Sequence, residues 1–182
     1  IPYENVRDVY KNVFQKSNGT LNELVGKFCN DLGISNTENL NNFFIGKFSD
    51  NNINNTISND KITLIRDLKE NGYKVILFSN SCCLLNNDAI KEIYDLVDGV
   101  FYSYDIGYTK DDKESYQYVE KTLNVKPTEI LHIGDTLKSD YLKPVENGWN
   151  ALFYGVSDDE SVNCISSLME LYDFFDIRTS KK

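Results

Sequence analysis

The first third of the chain carries its apolar residues at helical spacing. Val6, Val9, Tyr10, Val13 and Phe14 recur at i, i+3, i+4, i+7 and i+8, one stripe along a helix. Thr20, with Glu23 three residues on, forms a capping box that opens a second helix. Its stripe is Leu21, Leu24, Val25, Phe28 and Leu32, and Gly33 suits the left-handed residue that stops it. Thr37 caps a third helix carrying Leu40, Phe43, Phe44 and Phe48. From Ser49 to Asn59 the chain is mostly Asn, Ser and Asp, which reads as a hinge or exposed loop. The pattern predicts a small helical domain over residues 1–58, docked on whatever follows.

Beyond that hinge the period changes. Asp60 caps a helix with Ile62, Ile65 and Leu68 inward, ended by Gly72. The largely apolar run from Tyr73 to Phe78 reads as a strand buried on both faces. A helix around Asn87–Val97 follows, then a strand from Gly99 to Tyr102 and a helix over Glu114–Leu123 with Tyr116, Val119 and Leu123 inward. Residues 130–133 form a third strand and Asn150 to Tyr154 a fourth, with a helix near Tyr141–Asn147 between them. A last helix is predicted over Ser161–Phe175, and Lys181-Lys182 is a frayed tail. Strands and helices alternating this way imply right-handed crossovers and a doubly wound parallel sheet, an α/β core over residues 59–182.

Composition narrows the functions open to such a chain. At 182 residues and 41% hydrophobic, it can build one substantial core and an accessory unit. A net charge of −9 argues against nucleic acid or an anionic membrane surface as partner, since both reward Lys and Arg. No apolar run approaches the roughly 18 residues of a membrane helix, and the start lacks the layout of a signal peptide. Cys29, Cys82, Cys83 and Cys164 show no C-x-x-C spacing, so they read as free thiols in a reducing cytoplasm. Trp149 and His132, the only histidine, read as core residues.

Chemistry-bearing residues collect where the strands end. Ser79 and Asn80 follow the first strand, Lys110 lies in the loop after the second, and Asp135 and Asp140 follow the third. Taken singly, each has a plain reading as a turn, cap or solvated charge. Together, a hydroxyl, an amine and a pair of acids at one sheet edge supply a hydrogen bond, a fixed cation and a metal anchor, the parts of a phosphate site.

Val75-Ile-Leu-Phe-Ser-Asn80, Gly107-Tyr-Thr-Lys110 and His132-Ile-Gly-Asp-Thr-Leu-Lys-Ser-Asp140 resemble the second, third and fourth motifs of the haloacid dehalogenase (HAD) superfamily of hydrolases. Their order and separations fit, and the first sixty residues sit where that superfamily inserts a helical cap. The resemblance implies a Rossmann-like core, a Mg²⁺ cofactor and a small phosphorylated metabolite as substrate. It also implies that Ser79 bonds a phosphoryl oxygen with Asn80 beside it, and that Lys110 neutralises the attacking carboxylate and the phosphate together. Asp135 would bind Mg²⁺, and Asp140 would support the metal shell or Lys110. Members that remove halide generally lack the Gly-Asp form of the fourth motif, so Gly134-Asp135 points to a phosphatase.

Two departures stand out. The third motif usually continues Lys-Pro-Asp-Pro, and here it reads Lys110-Asp111-Asp112-Lys113. The first motif, Asp-x-Asp at the end of an apolar strand, has no counterpart before residue 60; Asp95-Leu-Val-Asp98 ends a helix, and Asp111-Asp112 and Asp158-Asp159 are no better placed. Without that strand, two central strands would each bury an unpaired row of N–H and C=O groups. The expectation is therefore a nucleophile-bearing strand upstream of Ile1. It predicts that strands 75–78 and 130–133 do not pair, and stand about two strand spacings apart, roughly 10 Å. The competing expectation is a catalytically inactive HAD-like binding or scaffold protein. A phospho-acceptor receiver domain fits worse, because there the acids precede the hydroxyl and the lysine.

Overall fold

The computed structural model describes residues 1–49, 57–85 and 91–177. Three helices come first: α1 (Tyr3–Phe14), α2 (Leu21–Leu32) and α3 (Glu38–Ser49). The Thr20–Glu23 capping box is formed in both directions, and Gly33 ends α2 at φ 64°, in the left-handed region. The Thr37 hydroxyl accepts from the Leu40 N–H at the start of α3. Phe14 is fully buried and packs its ring against Tyr10, Phe28, Phe44 and Phe48. Val13, Leu24, Val25, Cys29 and Cys82 complete this cluster, with Leu84 and Leu85 packed against it. Cys82, Leu84 and Leu85 come from the loop after the first strand, so the helical unit is seated beside the strand ends. The polar segment read as a hinge lies for the most part outside the described residues.

The remainder alternates as the pattern predicts. Helix α4 (Asn59–Glu70) leads into β1 (Ile76–Ser79); then come α5 (Lys91–Tyr94), β2 (Gly99–Tyr102), α6 (Ser103–Ile106) and α7 (Lys113–Leu123). Next are β3 (Leu131–Gly134), a π-helical turn (Leu137–Leu142), α8 (Lys143–Glu146), β4 (Asn150–Tyr154), β5 (Cys164–Ile165) and α9 (Leu171–Phe174). Four expectations need correction. The N-cap of α4 is Ser58, and Asp60 lies in the first turn, where an acid suits the helix dipole. Leu64, rather than Ile62 or Ile65, joins Leu68 as the buried stripe of α4. The first strand starts at Ile76, because Val75 is occupied by Asp98: its N–H donates to that carboxylate at 2.9 Å and its carbonyl accepts from the Asp98 N–H at 2.7 Å. Over 161–175 there is no single helix. Cys164–Ile165 pairs with the open edge of β4, and Ser167 with Glu170 caps a fresh turn, so the helix restarts late. The predicted helix over Asn87–Val97 is described only as α5, and Lys181-Lys182 lies outside the described residues.

All strand pairs are parallel. They form two sheets rather than one: β1 with β2, and β3-β4-β5. Among the described residues, strands β1 and β3 do not pair with each other, and each has a neighbour on one side only. Side chains meet where backbone does not, with the Phe78 ring 5.7 Å from Trp149 and 5.9 Å from His132. Among the described residues no helix is long and apolar enough to cross a membrane.

Candidate functional site

Lys110 is the most constrained of the residues singled out by sequence. Its loop is prepared by Gly107, which closes α6 at φ 79°, a conformation that favours glycine. The Thr109 N–H and hydroxyl both donate to the Asp112 carboxylate, at 2.7 and 2.8 Å, which folds the loop back on itself. The Lys110 main chain is then gripped from both sides. Its N–H donates to Asn80 Oδ1 at 2.8 Å, and its carbonyl accepts from the Tyr116 hydroxyl at 2.9 Å. A fully buried tyrosine of α7 and the residue ending the β1 run therefore fix where the lysine starts.

The ammonium is fixed as well. Lys110 is 7% exposed; its Nζ donates to Asp140 Oδ1 at 2.6 Å and lies 5.4 Å from the centre of the Phe78 ring. His132 Nε2 stands 3.4 Å from both Nζ and Oδ1. Asp140 sits in the π-helical turn and spends its other oxygen on the Thr136 N–H, at 3.0 Å. Burial pushes the Asp140 carboxyl upward, but the bond from Lys110, the lysine's charge and the bond from the Thr136 N–H override it. The carboxyl is held well below the usual aspartate range. Burial also pushes the His132 imidazole below its ordinary value.

Gly134 is what lets Asp140 come so close. A Cβ on Gly134 would lie 2.6 Å from Asp140 Cγ, and that carboxyl is locked on two sides. Gly134→Ala is expected to cost about 1–3 kcal/mol, the range for inserting a methyl where nothing can yield. A urea-denaturation midpoint checks this, and an unmoved midpoint would mean the strand end shifts freely.

The structure thus brings Asn80, Lys110 and Asp140 together. Ser79 and Asp135 stand at the ends of β1 and β3, and neither side chain makes a hydrogen bond or ion pair to another described residue. Ser79 is half-buried and Asp135 exposed. Among the described residues no three His, Cys, Asp or Glu side chains cluster as a metal site. Of the two roles the resemblance offers Asp140, the geometry contains the contact to Lys110. Among the aspartates set aside as candidate nucleophiles, Asp98 pairs with Lys69, and Asp159 accepts from the Ser161 N–H and hydroxyl. A groove of about 1000 Å³ lined by Tyr141, Trp149 and Phe174 among others contains none of the candidate site residues.

Three contributions were missed. His132 is buried, as the core reading expects, but its place two residues before Gly134-Asp135 also brings its ring to Lys110 and Asp140. Tyr116 was read only as a packing residue. Lys11 and Lys16 on and after α1 pair with Asp111 and Asp112, the second at 2.7 Å, and Asn18 donates to Asp105 Oδ1 at 3.0 Å. Two adjacent acids beside Lys110 and two lysines ending an amphipathic helix were the available signal.

A family model described as haloacid dehalogenase-like hydrolase matches residues 5–142, and the chain belongs to that family. YfnB from Bacillus subtilis, titled a HAD-hydrolase and solved bound to magnesium, is 18% identical; the match covers 96% of this chain and 80% of that one, with a TM-score of 0.65. The L-2-haloacid dehalogenase RSc1362 is 13% identical over 96% of this chain and 80% of its own, with a TM-score of 0.63. A HAD phosphatase from Thermococcus onnurineus is 17% identical over 96% and 92%, with a TM-score of 0.58. At these identities the likeness is one of fold, and both dehalogenases and phosphatases share it. The search of curated proteins gives no match.

Proposed function

We propose that this HAD-like hydrolase is a Mg²⁺-dependent phosphatase acting on a small phosphate ester through an aspartyl-phosphate intermediate. The observation that carries the reading is the placement of two charges: Lys110 is buried and fixed by Asp140, while Asp135, on the next strand end, is unpartnered among the described residues. A dehalogenase needs no unengaged carboxylate there; a metal-assisted phosphatase does. Attack by a carboxylate on phosphorus would form the acyl phosphate and release the alcohol, and water would then free inorganic phosphate. Lys110 presents an N–H and a local positive charge to the reacting oxygens, and Ser79 has its hydroxyl uncommitted for a phosphoryl oxygen.

The donor set fits magnesium. Mg²⁺ takes hard oxygen ligands, usually one or two carboxylates with waters and substrate phosphate, and Asp135 supplies one such carboxylate. When bound, the ion would neutralise charge on the phosphoryl oxygens. The attacking carboxylate we assign to a strand upstream of Ile1, seated between β1 and β3. In support, among the described residues β1 and β3 each pair on one side only, in separate sheets. The helical unit of α1–α3 serves in this reading as the cap that restricts the substrate to compact molecules, and the four free cysteines suit a cytoplasmic setting.

The deciding experiment gives the full-length protein p-nitrophenyl phosphate and 2-chloropropionate in parallel. Phosphate release that needs Mg²⁺ and stops with EDTA is expected. Metal-independent halide release would overturn the phosphatase reading, and turnover of neither compound would favour the inactive binding protein.

A further inference from the structure

We infer that His132 is a positioning residue for Lys110: its ring carries the proton on Nδ1 and turns the Nε2 lone pair toward the ammonium. The inference rests on the role just given to Lys110 and adds a residue to it. Three atoms form a tight triangle. Lys110 Nζ and Asp140 Oδ1 are 2.6 Å apart, and His132 Nε2 is 3.4 Å from each.

The chemistry of the three groups favours one tautomer. An ammonium has only N–H bonds to present, whereas a neutral imidazole has one donor nitrogen and one acceptor nitrogen. If Nε2 carried the hydrogen, two donors would face each other and compete for one oxygen that the lysine already holds at the shorter distance. If Nε2 carries the lone pair, the ammonium gives one hydrogen to Asp140 and a second to His132. Its rotation is then fixed, and the third N–H has a defined direction for a ligand.

The ring is well held for such a task. It is 8% exposed, edge-on to Phe78 at 5.9 Å and 75°, and 6.2 Å from Trp149. Trp149 is itself anchored by its indole N–H donating to Glu120 at 2.7 Å. Phe78 touches both partners, since its ring also lies 5.4 Å from the Lys110 ammonium. Sequence alone would make a buried histidine in a strand a space-filler. A space-filler, however, gains nothing from placing its ring nitrogen against a buried cation.

The test has two independent arms on the full chain. His132 is the only histidine of these 182 residues, so ¹⁵N NMR, with His132→Gln as the assignment control, reads its tautomer. A protonated Nδ1 with an unprotonated Nε2 is expected; the Nε2–H tautomer would overturn the inference. In the second arm, inorganic phosphate is titrated calorimetrically, with Mg²⁺ present, into wild type, His132→Phe and His132→Gln. Losing an acceptor to a charged donor should weaken phosphate binding about tenfold or more in His132→Phe. His132→Gln, whose carboxamide oxygen can take the place of Nε2, should recover most of it. Equal affinity in wild type and His132→Phe, or equal loss in both variants, would refute the positioning role. Should His132→Phe not fold, the tautomer and the His132→Gln titration still decide. A wild type that binds no phosphate would instead defeat the phosphatase reading, while the tautomer arm stands apart from it.

Discussion

Replacing Lys110 with methionine in the full-length protein is expected to lower the turnover of an aryl phosphate by about 10²–10³, the scale of losing one preorganised electrostatic donor. Methionine keeps the hydrocarbon stem and removes only the charge. The substitution also leaves Asp140 without its partner in a site where both side chains are 8–9% exposed. Breaking a buried pair from one side costs about 3–5 kcal/mol, less whatever the carboxyl recovers by taking up a proton. A thermal melt should therefore show a lower midpoint alongside the kinetic loss. The double variant Lys110→Met/Asp140→Asn separates the two effects, because it removes the stranded charge and should regain stability without regaining activity. Unimpaired turnover in Lys110→Met would reduce the lysine to a structural ion pair. The same pair sets an acid limb in stability. Asp140 is held below the ordinary aspartate value, so its contribution is complete above about pH 4 and drains away as pH falls further. In Lys110→Met that limb should shrink.

Asp135→Asn is expected to have the opposite signature. Asp135 is exposed and its side chain makes no hydrogen bond or ion pair to another described residue, so the amide should change stability by no more than about 0.5 kcal/mol. Activity should nevertheless fall by about 10² or more, because asparagine keeps the shape and removes the charge a hard cation needs. Initial rates against Mg²⁺ concentration measure this directly. A variant that keeps both its rate and its Mg²⁺ dependence would remove Asp135 from the metal role. Together, the two variants ask whether one residue matters to fold and chemistry, and the other to chemistry alone.

What was legible in the sequence was what local chemistry decides. The Thr20–Glu23 box, the Gly33 stop and strand β2 stand where the pattern puts them, because caps and apolar runs act within a few residues. The segment 161–175 was misread because its apolar spacing suits a helix, while the open edge of β4 offers Cys164 and Ile165 a better partner. Spacing carries no record of an edge supplied by another part of the chain. The division of the sheet was legible only as a missing motif. The site was half legible: residue types and strand ends gave Lys110, Asp140 and Asn80, but not their geometry. Nothing local says that Asn80 would hold the Lys110 N–H, or that Asp140 would turn to the lysine. The pairing of Asp111 and Asp112 with lysines about a hundred positions earlier lies wholly in tertiary structure.

That pairing bears on what can enter. Near the strand ends Lys110 is matched by Asp140, Lys11 by Asp111 and Lys16 by Asp112, and the mostly exposed Lys138 lies 4.0 Å from Asp111. Counted this way, these lysines exceed their aspartates by a single charge, and Asp135 brings the tally at the strand ends to zero. A bare phosphate arriving there is met by a balanced set of charges rather than a positive one. Admission then depends on the anion travelling with its own counter-ion, so inorganic phosphate alone should bind far more weakly than phosphate supplied with a divalent metal.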